Sequence, residues 1–402
     1  MKILQVHNRY LSGSGGEDVA VEADRALLEE RGHEVTQFFG SNAEFGTARG
    51  LRRVALGANA IWSHRSYAEL RKQVERCRPT VVHVHNTFAQ LSGSVSWALA
   101  QQHVAVVQTV QNYRSMCATA TLFRDGRPCD ECVGRLPYPA LIHGCGYNDS
   151  HAAGLVISGG IATHAALKTL TRNVHAVIAL TEFMKSKLRD AGYDEARLHI
   201  RPNFLPDPGC NFPGYEARSN RIVFVGRMVN SKGASHCAQA WALADEKAWR
   251  LLMIGDGQQQ RSLAAAWGAD RNVEWTGKIE RTGVLNAMAA SRYLVVPSLW
   301  YEGLPLVLVE AMSCGTPVIV PDHGAFPEIV EDGVNGIVFK AGDVMSLRDA
   351  LRRAMSLTPH EWARVSRGAR SRFLQRYSSD VAYERLMSIY AHAMDTAQVP
   401  HA

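Results

Sequence analysis

The stretch Ser298–Val320, SLWYEGLPLVLVEAMSCGTPVIV, places an acid where no structural need explains one. Leu306, Val307, Leu308, Val309, Ala311 and Met312 form an almost continuous apolar wall, and Glu310 stands inside it. An ionised carboxylate in apolar surroundings is costly unless a partner neutralises it or hydrogen-bonds to it. A ligand hydroxyl is a natural partner. Eight positions earlier Glu302 precedes Gly303-Leu304-Pro305, and proline at a first helical position after glycine is a usual way to open a helix. Unpaired N–H groups at that opening, together with the positive end of the helix dipole, suit a phosphate. The stretch therefore predicts an anion hole flanked by two acceptors for sugar or ribose hydroxyls. Capping the helix start is the bland alternative for Glu302.

Upstream, the pattern Arg221–Val225 predicts a strand, followed by Gly226-Arg227-Met228-Val229-Asn230-Ser231-Lys232-Gly233. Arg227 and Lys232 thus follow a strand end and precede a helix, where two cations can meet a diphosphate, although surface cations are commonly just solvated. The first half of the chain repeats the strand-and-turn logic. Lys2–His7 reads as a strand, the loop after it ends in Gly15 and Gly16, and Glu17–Arg31 has helical spacing, an order that suits phosphate binding or simply a tight turn. Thr80–His85 and Val104–Val110 are β-branched runs a helix-length apart, the mark of parallel strands with crossovers. Phe204–Asn220, with three prolines and two glycines, reads as a linker.

Two further features stand apart. Arg49–Arg78 is basic and amphipathic, with Leu51, Val54, Ala55, Ala58, Ile61 and Trp62 at helical spacing. It reads as a core-facing helix with a solvated basic face, or as a docking surface for an anionic membrane. Cys117, Cys129, Cys132 and Cys145 fall within a short span that includes a two-residue-spaced pair. Structural zinc, reduced packed or reactive thiols, and disulfides all fit that spacing, and His143 can replace one thiolate.

Composition bounds the rest. At 402 residues the chain can bury two cores, and 46% apolar with 20% charged residues is ordinary for a globular protein. A net charge of +6 without an aromatic-basic motif argues against nucleic acid as a partner. No apolar run is long enough for a spanning helix and the N-terminus does not read as a signal peptide, so the cytoplasm is the expected compartment, with the inner membrane face as a docking surface. In that compartment disulfides are disfavoured.

The Glu302-x7-Glu310 spacing followed by Gly315-Thr316-Pro317-Val318-Ile319 resembles the hallmark of the retaining glycosyltransferases of family 4, and the resemblance extends over essentially the whole chain. It implies the GT-B fold: two Rossmann-like, doubly wound α/β domains facing a central cleft. The expected divisions are 1–203 on the acceptor side, a linker over 204–220, a nucleotide-sugar domain over 221–378, and a helix over 379–402 crossing back to the first domain. The implied reaction moves a sugar from a nucleoside-diphosphate sugar to a glycan or lipid-linked acceptor, with the anomeric configuration kept and no cofactor required for catalysis. By the same resemblance, Arg227 and Lys232 take the diphosphate, Glu302 the donor sugar and Glu310 the ribose. Gly15, Gly16, Gly226, Gly303 and Leu304 line the donor, and no side chain is assigned as nucleophile or general base. Arg227, Lys232 and Glu302 are then the catalytic contributors. Gln111 stands where family members commonly have His; it keeps a backbone carbonyl and an amide for a sugar hydroxyl but cannot exchange protons near neutral pH. A sugar-nucleotide epimerase of the same fold, a catalytically silent sugar-nucleotide binder, and a zinc-dependent redox or regulatory protein are the competing readings.

Overall fold

The computed structural model describes residues 1–9, 16–42, 51–146, 151–209, 212–267 and 272–398, of which 51–54 and 398 by their backbone alone. Two compact units emerge from its contacts. The first comprises Met1–Leu122, Cys129–Asn203 and Asp380–Ala402, and the second Phe123–Pro128 and Phe204–Ser379.

In the first unit, strands β1 (Lys2–Arg9), β2 (Glu34–Ser41), β3 (Val81–Val84) and β4 (Ala105–Val110) are followed by a two-stranded hairpin, β5 (Phe123–Arg124) with β6 (Arg127–Pro128), which groups with the second unit. Strands β7 (Ala176–Ala179) and β8 (Leu198–Ile200) complete a parallel sheet in the order β2-β1-β3-β4-β7-β8. Strands β3 and β7 are buried throughout, as β-branched runs covered on both faces must be. The C-terminal helix Ser379–Gln398 contributes to this core: Leu386, Ile389, Tyr390 and Ala393 are buried against Ile3, Leu28, Val81, Ala105, Val107, Ala176 and Ile178. Each large side chain so buried stabilises the unit by roughly 1.5–3 kcal/mol. Beneath the sheet Arg201 and Asp24, both nearly inaccessible, form a bidentate pair, and the Arg201 Nε also donates to the Ala382 carbonyl at 3.2 Å.

The basic segment forms two helices rather than one amphipathic run. Leu51–Ile61 and His64–Cys77 are separated at Ser63, whose hydroxyl caps the second helix by accepting from the Ser66 N–H. Arg49 and the side chains of Arg52 and Arg53 lie outside the described residues. The first of these helices packs on His151–Ala166, where Gly57 faces Val156 and both Gly159 and Gly160 face Ile61. Among the described residues, no helix is long and apolar enough to cross a membrane.

The second unit repeats the plan. Strands β9 (Ser219–Val225), β10 (Arg250–Ile254), β11 (Val273–Gly277), β12 (Ser291–Val295), β13 (Val318–Pro321) and β14 (Gly336–Phe339) form a parallel sheet in the order β11-β10-β9-β12-β13-β14. Chain order runs outward from β9 in one direction and from β12 in the other, so the crevice between their carboxyl ends is a topological switch point, the place where open α/β sheets bind ligands.

Candidate functional site

The geometry at that switch point follows from glycines. After β9 the Gly226 N–H donates to the Ile254 carbonyl at 3.1 Å and the Met228 N–H to the Asp256 carbonyl at 2.6 Å. A Cβ on Gly255, whose φ is +136°, would lie 1.9 Å from the Gly226 oxygen, so only glycine lets these two turns meet. A 3-10 turn, Asn230–Lys232, then ends on Gly233 at φ +70°, where a Cβ would lie 1.9 Å from the Pro297 oxygen. From the other side the Leu299 N–H donates to the Ser231 carbonyl at 2.8 Å. The Lys232 backbone is thereby locked against the loop after β12.

That locking brings Lys232 to Glu302. The ammonium Nζ donates to Glu302 Oε1 at 2.6 Å, the Ser298 hydroxyl donates to the same oxygen at 2.7 Å, and Nζ lies 5.0 Å from the centre of the Trp300 ring. Glu302 is 6% exposed. Burial pushes its carboxyl upward, but the charge of Lys232 and the hydrogen bonds from Lys232 and Ser298 outweigh that and hold it below the usual carboxylate range. Arg227 is exposed on the same loop, and Gly226 is half-buried.

Glu302 lies in the loop before the helix Leu306–Ser313, with Gly303 half-buried and Leu304 buried. Pro305 is the residue preceding the helix rather than its first member, and no side chain caps this end. The proline ring fixes φ but the backbone is extended there, at ψ 111°, so helical geometry begins one residue later. Glu310 is 8% exposed and meets Arg281 Nε at 3.2 Å from Oε1. Its carboxyl is raised, because burial outweighs the attraction of a half-exposed guanidinium. Sequence reasoning missed Arg281, which opens the helix Arg281–Ala290, and gave no role to Ser298 or Trp300.

In the first unit, Gly16 is exposed at the start of the helix Gly16–Glu30, and Gly15 lies outside the described residues. Gln111 follows β4 and exchanges two amide hydrogen bonds with Asn203, at 3.2 and 3.0 Å. It lines a cavity of about 570 Å³ together with Glu17, Asn86, Asn112 and His85. His85 directly follows β3, stacks on His83 with ring centres 4.1 Å apart, and is driven well below the usual histidine range, by burial first and then by His83, His7 and Arg201. Sequence reasoning did not single it out. Cys117, Cys129, Cys132 and Cys145 are half-buried and unoxidised, with no disulfide among them. Among the described residues, the one trio of metal-capable groups within 4.8 Å of each other is instead Asp24, His83 and His85.

Residues 13–207 match the family described as Glycosyltransferase Family 4, and residues 219–356 match the one described as Glycosyl transferases group 1. The chain belongs to glycosyltransferase family 4. It is 38% identical over 195 residues to a D-inositol 3-phosphate glycosyltransferase of Saccharomonospora viridis, covering 45% of this chain and 44% of that protein. Against a phosphatidyl-myo-inositol mannosyltransferase of Mycobacterium leprae it is 29% identical over 180 residues, 44% of this chain and 48% of that one. The match thus spans under half the length of each of these two curated relatives. Anabaena HepE, solved in complex with UDP and glucose, superposes with a TM-score of 0.66 at 16% identity, over 97% of this chain and 100% of that one. Its likeness, with the two doubly wound parallel sheets, assigns the GT-B fold to this family member.

Proposed function

We propose that the protein transfers a glycosyl group from a nucleoside-diphosphate sugar to an acceptor hydroxyl, keeping the anomeric configuration. The observation that carries this reading is the Lys232–Glu302–Ser298 constellation at the switch point of the second sheet, four residues ahead of an uncapped helix start. Lys232 and Arg227 meet the diphosphate, and the helix N–H groups beyond Gly303 and Leu304 face the same charge. A diphosphate arriving there draws Lys232 away from Glu302, whose freed oxygen accepts from a donor-sugar hydroxyl. Glu310, held by Arg281 until then, accepts from the ribose. Charge developing on the leaving diphosphate meets the cations that already bind it, usually the largest contribution to such catalysis. The phosphatidyl-myo-inositol in one relative's name supports a lipid-linked acceptor.

A thermal-shift series over UDP, GDP, ADP and their sugars tests the donor class, since binding to the native state raises the melting temperature. One nucleotide is expected to act at submillimolar concentration; no response to any of them at millimolar concentration would sink the reading. The mutual pairing of Gln111 and Asn203, neither of which titrates, favours a second reading in which the donor binds but is not transferred. Product mass after incubation with the bound donor reveals transfer and hydrolysis, and chromatographic resolution of the recovered donor from its isobaric epimer separates epimerisation from no reaction.

A further inference from the structure

The segment after β4 is poor in regular structure and rich in thiols. Between Gln111 and Gly146 it holds a hairpin of two two-residue strands and one five-residue helix, Tyr138–Ile142. The hydrophobic cluster beneath it is small, consisting of buried Ala118, Ala140 and Ile157 with partly buried Phe88, Ile161, Cys132 and Cys145 packed on them. So little apolar area is weak compensation for ordering a chain of this length.

Backbone hydrogen bonds fix the turns that carry four separated thiols, of which Cys132 and Cys145 pack on this cluster. The Cys117 N–H closes a turn on the Tyr113 carbonyl at 2.9 Å, and Cys117 adjoins Ala118. The Cys129 N–H donates to the Leu122 carbonyl at 2.7 Å, across the base of the hairpin. The Cys145 N–H donates to the Ala140 carbonyl at 2.8 Å, directly after the short helix. The Cys132 thiol packs on the cluster beside Cys145, with the Ala140 N–H directed at its sulfur. An N–H aimed at sulfur is a recurrent support of metal thiolates.

We infer that Cys117, Cys129, Cys132 and Cys145 form a structural zinc site that ties the hairpin base, the Cys129–Cys132 turn and the short helix into one piece. Four thiolates complete a tetrahedron with no open position, which makes the site structural rather than catalytic. Each S–H gives its proton to solvent as a Zn–S bond forms, leaving a dianionic centre. Lys187, bonded to Asp130 within the turn at 2.9 Å, places a positive charge beside it. As thiols, no three of these sulfurs stand within 4.8 Å of one another. Zn–S bonds of about 2.3 Å set sulfurs about 3.8 Å apart, so the ion draws the loops inward. The closer Asp24–His83–His85 trio does not suit a cation, because Arg201 occupies Asp24 and both His83 nitrogens are bonded, to Tyr390 and Thr109.

The inference is independent of the donor chemistry, and its test reads metal, not turnover. The full chain is prepared under reducing conditions in zinc-supplemented medium and analysed by plasma mass spectrometry. About one zinc per chain is expected in the parent and in Cys77→Ser, and less than about a tenth in Cys132→Ser. If Cys132→Ser fails to fold, stepwise organomercurial titration of the parent in the presence of a zinc-sensitive dye is expected to release the metal as four thiols react. A cobalt-substituted sample should display the thiolate charge-transfer and ligand-field bands of a tetrahedral four-sulfur site. Parent protein that is folded yet metal-free, a disulfide among the four cysteines, or cobalt bands denoting fewer thiolates would overturn the assignment.

Discussion

Lys232 has two candidate jobs, neutralising buried Glu302 and meeting a diphosphate, and a double-mutant cycle separates them. Its ammonium lies 2.6 Å from a carboxylate oxygen that also accepts from Ser298 at 2.7 Å. Removing one partner of a buried pair costs about 3–5 kcal/mol because a charge is left uncompensated. Lys232→Ala should fall near the lower end, about 3 kcal/mol, since Lys232 is 23% exposed and Ser298 remains. Lys232→Ala/Glu302→Gln leaves no orphan charge and should recover most of that stability in urea titrations. Affinity for a nucleoside diphosphate should behave differently. A charge-assisted hydrogen bond contributes about 1.5–3 kcal/mol, so Lys232→Ala should weaken binding by roughly 10- to 100-fold in calorimetry. Glu302→Gln frees the ammonium from its charged partner and should tighten nucleoside-diphosphate binding by roughly 3- to 10-fold. The double variant should bind as poorly as Lys232→Ala. If it binds instead as tightly as Glu302→Gln, Lys232 is a counter-ion only and its proposed role on the diphosphate is wrong.

Two further outcomes concern the first unit. Asp24→Asn should destabilise it by about 3–5 kcal/mol by leaving Arg201 buried and unpaired, whereas Asp24→Leu/Arg201→Met should lie much closer to the parent; equal losses in urea titrations would contradict this. His83 is held down to about 3 by burial first and Arg201 second, so in acid the unfolded chain takes up a proton that the native state refuses. Its contribution is full above pH 6.5 and is lost as pH falls below that, on the order of 2 kcal/mol by pH 5, and His85 adds a loss of the same sign. His83→Gln, which keeps a donor and an acceptor for Thr109 and Tyr390, should flatten the fall of the urea midpoint between pH 7 and 5, and an unchanged slope would reject the assignment.

Carboxylates near the switch point carry opposite signs. Glu302 is depressed on folding, so its contribution is present above about pH 4.5 and disappears as pH falls through its lowered value. Glu310 is raised, so its contribution is present in acid and disappears as pH rises through its elevated value. Ionising Glu310 thus carries a folding penalty that Arg281 only partly offsets. A ribose hydroxyl donating to it would supply what the guanidinium does not.

Strands such as Val81–Val84 and Ala105–Val110 were legible because β-branched runs bounded by polar turns admit few alternatives, and the turn Gly226–Gly233 because its glycines punctuate it. The division at Ser63 was legible in principle, since a serine before a helix start is a cap signal; the apolar spacing on either side masked it. Glu310 shows where such reading stops. An acid in an apolar run announces that something must pair with it, because the alternative is an uncompensated charge. It does not say what. Arg281 lies 29 positions away at the head of another helix, and Lys232 lies 70 from Glu302. Neither distance leaves a periodic trace, because each pair is chosen by which helix and loop the parallel sheet sets side by side. Charge demands a partner locally, and topology selects it.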